Sequence, residues 1–322
     1  MGKNSYGQNR LCLLAILFVM FQCFGIMGTN ARGSDIMPTD IYYLAKSIDD
    51  SLISAYGLTS IFEKKMLSSN IRPRNSYQKL LSLADEFNLL HNNAISKAKL
   101  DAARQVDTLA TKPGDLYNVL SLIKNHLVRK DMFFESAEMR SPKTPSDVTH
   151  MLRQISFHHI EIAEMKNIPY DWSTPAQVYD AVMRDILPVV TGVADEAGVE
   201  YEPYPFPRQP EKGVIPRNIT KIIQHIYGNI AQYYKKKGNY DSLVLIEVSD
   251  CDDISPGDSF DLVKAISAEL RAMSGDRQPD TKVLDRYKTW KASKEKIGPG
   301  DVYRLLQHIY ILSKTILEHS AK

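Results

Sequence analysis

Eight of the sixteen prolines in this chain open the same phrase: Pro38, Pro73, Pro113, Pro145, Pro175, Pro216, Pro256 and Pro299. Two positions on stands a polar residue: Asp40, Asn75, Asp115, Asp147, Gln177, Asn218, Asp258 or Asp301. Four positions on stands a ring in six copies, Tyr42, Tyr77, Tyr117, Tyr179, Phe260 and Tyr303, with Thr149 and Thr220 in the other two. Position seven is apolar in every copy. Position ten is apolar in all but the fifth, where Asp185 stands. Apolar residues at three, six, seven and ten form one stripe of an α-helix, not the alternation of a strand.

The opening residues have a local reason. Proline is tolerated at the first helical position, where the missing N–H has no intrahelical partner. Thr144, Thr174, Ser255 and Gly298 then precede it as N-caps, and the polar residue two later sits where it can bond back to the cap. In the alternative, the Asp or Asn is itself the cap and Gly114, Gly257 and Gly300 lie just outside the helix. Either way the phrase is a helix start joined to a buried stripe, and it predicts an all-α fold. Eight repeated units would form an α-solenoid-like array or two packed helical bundles. The spacings between phrases run from 30 to 43 residues. The longer ones leave room for an extra short helix, with candidates around residues 92–110 and 283–296. Pro188 should kink or end the fifth helix.

The first thirty residues differ from the rest. Lys3 and Arg10 precede an apolar run over residues 11–28, followed by the small residues Thr29 and Ala31. A basic flank before an apolar core is how a secretory leader begins, with cleavage after Ala31. The alternative is an uncleaved N-terminal membrane anchor. Either reading makes the protein exported, periplasmic or secreted, with membrane contact only through that segment. Removing residues 1–31 takes two basic side chains and no acid, leaving 38 of each sign. A balanced chain has no bulk attraction to nucleic acid. Of three cysteines, Cys12 and Cys23 lie in this leader, so Cys251 alone would remain and no internal disulfide could form.

Residues 201–216 hold five prolines and cannot be helix or central strand. They divide the chain into a leader (1–31), a first helical region (32–200), a connection (201–215) and a second helical region (216–322). Residues 233–248 resemble locally the turn of a tetratricopeptide repeat, over that one unit, although "SLVLIEV" within them also reads as a short strand.

No catalytic motif is legible. The adjacent His158 and His159 point to different parts of a helix surface, and no Glu-x-x-His pair or phosphate-cradling glycine loop occurs. The acidic run over residues 249–258 lacks the spacing of a calcium loop. No cofactor or metal ligand set follows from the sequence. The candidate binding residues are the phrase tyrosines Tyr117, Tyr179 and Tyr303, which could line a pocket between helices, and Tyr201, Tyr204 and Phe206 of the proline-rich segment. The expected function is a non-enzymatic helical-repeat protein of the cell envelope, a scaffold or protein-binding module whose partner is another envelope protein. A helical bundle binding a small ligand is the alternative. An envelope enzyme would instead show a buried cluster of histidine and acid.

Overall fold

A computed structural model describes residues 36–63, 68–137, 139–168, 174–238, 243–245, 254–275 and 277–320. The expected leader, Cys251 and most of the acidic run before Ile254 lie outside them. The helices are α1 (Pro38–Tyr56), α2 (Pro73–Leu90), α3 (Lys97–Arg104), α4 (Pro113–Arg129), α5 (Pro145–Met165), α6 (Pro175–Ala181), α7 (Leu187–Ala197), α8 (Pro216–Lys237), α9 (Pro256–Ser274), α10 (Thr281–Ala292) and α11 (Pro299–His319). A two-residue antiparallel pair, β1 (Ser68–Ser69) with β2 (Val244–Leu245), is the sheet structure among the described residues. The fold is all-α. No described helix is long and apolar enough to cross a membrane.

Every phrase proline is the first residue of a helix. In all eight, the polar residue two positions on accepts a hydrogen bond from the backbone N–H of the residue before the proline, at 2.7–3.1 Å. The return half of a capping box forms at Thr144, Thr174 and Ser255, whose hydroxyls accept from the N–H of Asp147, Gln177 and Asp258. This decides between the two cap readings: the phrase glycines lie inside the first turn. The apolar stripe is core. Ala45, Leu80, Leu120, Leu152, Val182, Ile223, Val263 and Leu306 are each 0% exposed.

Packing divides the phrase helices into two groups of four. In the first, α1 and α2 each touch α4 and α5; in the second, α6–α7 and α8 each touch α9 and α11. Numbered within its group, each set closes in the same spatial order, one-three-two-four. The helices therefore make two bundles rather than a solenoid. The proline-rich connection falls within the second bundle, because α6–α7, before it, share a core with α8, α9 and α11.

Within a bundle the helices run the same way. Ser76 bonds Thr149 near the starts of α2 and α5, and Glu86 meets His159 three turns later. In the second bundle Thr220 bonds Ser259 at the starts of α8 and α9, and Asn229 bonds Ser313 while Lys236, further along α8, meets Ser320 just past the end of α11. Four positive helix ends are thus gathered together, and the carboxylate or amide of each phrase offsets them. Parallel helices need return limbs, which explains the rest of the chain. The short helices α3 and α10 occupy the two expected insertions. Residues 134–137 and 139–143 return in extended form along α1, where a hydroxyl recurs every fourth residue. Ser51, Ser47, Tyr43 and Thr39 accept in turn from the backbone N–H of Phe134, Ser136, Ser141 and Lys143, at 2.8–3.1 Å. Backbone donors with no strand neighbour are satisfied by a ladder of side chains.

The bundles meet where α2 crosses α9 in the opposite sense, and the junction is charged. Arg74 grips Glu269 with two bonds, of 2.7 and 2.9 Å, and Asn75 adds a third at 2.9 Å. Lys79 and Arg153 share Asp261, at 2.9 and 3.2 Å, and Arg153 also pairs with Asp258. Lys79, Arg153, Asp258 and Glu269 are all buried. Residues Met37–Lys322 form one compact unit.

Candidate functional site

The fifth phrase departs from the others, and its departure builds a site. Pro188 has no N–H to give the carbonyl four residues back. The helix neither ends nor breaks there. Between α6 and α7, residues Val182–Ile186 form a π-helical turn, and Leu187 N–H bonds Val182 O. The inserted residue shifts the register by one. Ile186, 0% exposed, takes the core place that position ten fills elsewhere. Asp185 is released outward, where it accepts from Lys264 at 2.9 Å and Arg271 at 2.7 Å. Residues five apart lie over one another on a π turn, whereas five α-helical residues turn well past one full circle. The turn accordingly brings Asp185 round to the cleft that Asp180 also lines.

That cleft has a volume of about 650 Å³ and is bounded by α6, the π turn, α9 and α10. Arg184, Arg271, Arg277, Lys288 and Lys291 line it, against two carboxylates, Asp180 and Asp185. Asp180 is held from two sides. The Tyr287 hydroxyl donates to it, and Lys291 bonds both its oxygens at 2.8 and 3.0 Å. Burial, then the hydrogen bond to Asp180, push the Tyr287 hydroxyl well above its ordinary range, so Tyr287 stays a donor. Arg277 crosses α7 at Gly192, where an added Cβ would sit 3.1 Å from its Nε, and pairs with Glu196.

Behind the cleft wall lies an aromatic cluster containing three of the six residues singled out from sequence. Tyr179 stacks on Tyr287 at 5.4 Å and on Trp290 at 4.9 Å. Phe206 lies against both Tyr287 and Trp290, and Tyr204 packs edge-on to Phe206 and His308. The proline-rich segment is held here by its backbone: Arg286 donates to Tyr204 O, Trp290 to Pro207 O and Lys294 to Arg208 O. Burial pushes the Tyr204 hydroxyl up to about 12 and Tyr179 beyond it. These rings are packing, with Tyr179 0%, Tyr204 5% and Phe206 8% exposed. Tyr117 stands partly exposed on α4, Tyr303 packs on the core from α11, and Tyr201 lies at the surface. The structure does not bring these three to the cluster.

The first bundle contains a buried network of histidine and acid. His158 reaches Asp49 on α1 at 2.7 Å, while His159 reaches Glu86 on α2 at 3.3 Å, so the adjacent rings do point apart. Burial alone would raise the Glu86 carboxyl, but the Lys79 charge and the His159 bond outweigh it and hold it low. Burial would lower His158, but Asp49 outweighs it and raises it. His91, stacked on Phe87 at 4.2 Å, is pushed down to about 3 by burial, with Lys166 adding to the effect. His158, His159, Asp49 and Glu86 are all buried, and the described residues contain no group of three or more His, Cys, Asp or Glu able to hold a metal ion.

Sequence reasoning missed Arg184, Arg277 and Lys291. The available signal was the coincidence of Asp185, the one break in position ten, with Pro188 three residues later. Comparison with known protein families, curated proteins and solved structures finds no match to this chain.

Proposed function

We propose that this chain is an exported, non-enzymatic binding protein of the cell envelope, and that the cleft beside the π turn is where its ligand docks. One observation carries the reading. Seven phrases keep an apolar residue at position ten, and the fifth instead inserts a residue and turns Asp185 onto an open cleft. π turns inside α-helices recur at functional sites, because the insertion has a stability cost that packing alone does not return. Export is supported by the basic flank and apolar run of residues 3–28. The first bundle does hold the buried histidine–acid cluster expected of an enzyme, but a binding role is favoured over catalysis because the pairs are sealed, His159 at 0% and Glu86 at 6% exposure. A substrate would have no surface at which to meet them.

Native mass spectrometry of the protein recovered from its own envelope tests this. The expected spectrum carries a non-covalent adduct that is lost in the variant Arg184→Glu/Lys291→Gln, whose glutamine can still donate to Asp180, at unchanged melting temperature. A bare chain in both proteins, or the same adduct in both, would contradict the reading. The intact mass also reports whether residues 1–31 are removed.

A further inference from the structure

We infer that the cleft beside the π turn takes a compact molecule with two or more anionic groups, carboxylate or phosphate. This rests on the cleft being the binding site. Its lining carries five cationic side chains against two carboxylates, and those carboxylates are already engaged. Asp180 is bonded by Tyr287 and Lys291, and Asp185 by Lys264 and Arg271. The acids thus act as holders, fixing ammonium and guanidinium groups in place before a ligand arrives, which lowers the ordering cost of binding.

Arg184 supplies the charge left over. It projects from the π turn itself, is exposed, and pairs with no carboxylate among the described residues. Arg277 lines the same cleft, seated where Gly192 has no side chain and held by Glu196 as the other cations are held by their acids. Planar guanidinium forks arriving from separate elements suit bidentate recognition of carboxylate or phosphate oxygens. The volume of about 650 Å³ is that of a small-molecule site and too small for a folded partner.

The walls also exclude a class. Tyr287, the one ring lining the cleft among the described residues, is 3% exposed, and Tyr179 and Phe206 both stack on it. No ring face is left for a nucleobase or other flat aromatic ligand, so recognition falls to the cations. A cationic ligand would add its charge to that of Arg184, which no acid among the described residues balances.

Isothermal titration calorimetry on the protein purified as exported tests the assignment, with inorganic pyrophosphate and citrate as the two anionic probes and spermidine as the cationic one. Saturable one-to-one binding of at least one anion is expected, weakening with added salt. Arg184→Gln and Arg277→Gln should each weaken it about tenfold, close to 1.4 kcal/mol, at unchanged melting temperature. Which anion binds more tightly separates a phosphate site from a carboxylate site. If neither anion binds at millimolar concentration, or spermidine alone binds, the ligand class is wrong. The site itself would survive if the native adduct still depended on Arg184 and Lys291. If an anion binds equally well to both variants, the site is wrong.

Discussion

Replacing Arg153 by methionine should loosen the junction between the two bundles. The guanidinium is 5% exposed, pairs with Asp258, and bonds Asp261 at 3.2 Å. Methionine keeps much of the apolar stem and removes the charge, stranding Asp258 at 5% exposure. Breaking one side of a buried pair costs about 3–5 kcal/mol. The lower end applies here, because Asp258 keeps its bonds from the Ser255 N–H and hydroxyl and Lys79 still neutralises Asp261. A loss of about 3 kcal/mol corresponds to a fall in melting temperature of roughly 5 °C for a chain of this size. In a Trp172→Phe background, urea unfolding followed both by Trp290 fluorescence, which reports the second bundle, and by far-ultraviolet circular dichroism should give coincident transitions when Arg153 is kept. The two should separate in Arg153→Met. Adding Asp258→Asn should restore more than half of the loss. Asparagine makes the same cap bond at Asn75 and Asn218, so it removes the stranded charge without losing the helix start. A cost below about 1 kcal/mol, or no recovery in the double variant, would refute the idea that this charge network clamps the bundles.

Leu120→Ala and Leu306→Ala, both at 0% exposure, should each lose about 2–5 kcal/mol in chemical denaturation, and near-zero effects at both would mean that the repeated stripe is not core. Gly300→Ala should destabilise by about 1–3 kcal/mol, because the new Cβ would fall 1.9 Å from the backbone oxygen of Glu211; an unchanged melting temperature would show that residues 208–212 do not dock on α11. His91 has a folded pKa of about 3, below its unfolded value, so the unfolded chain takes up this proton first as pH falls. Its contribution to stability is therefore lost between about pH 6.5 and pH 3. Thermal melts of His91→Phe should decline less over that range than those of the wild type, and parallel curves would show that His91 is not held neutral.

Local structure was legible in the sequence, and the assembly was not. The starts of eight helices depend on residues within three positions of each proline, so Pro113 with Asp115, or Pro299 with Asp301, announces its helix without reference to the rest of the chain. Whether the helices stack or bundle depends on contacts between residues far apart. The parallel arrangement rests on pairs such as Ser76 with Thr149, and on the hydroxyl ladder Thr39, Tyr43, Ser47 and Ser51, whose spacing of four is visible but looks like any polar helix face. An interior proline removes a bond, which predicts a kink or an end at Pro188. The π turn accommodates that loss, and only Asp185, out of register with its seven counterparts, hinted at it. Tyr179, Tyr204 and Phe206 do converge, as rings from a phrase and from a proline-rich segment can, but they serve as packing. The cleft beside them draws Arg184, Arg277 and Lys291 from three separate elements, and no spacing along the chain encodes that meeting.

Hydrogen–deuterium exchange of the exported protein, with and without pyrophosphate or citrate, tests the central claim most directly. Binding at the cleft predicts added protection confined to peptides covering residues 180–185 and 277–291, and less of it in Arg184→Gln at the same sub-saturating anion concentration. Protection elsewhere on the molecule, or none with either anion, would contradict it.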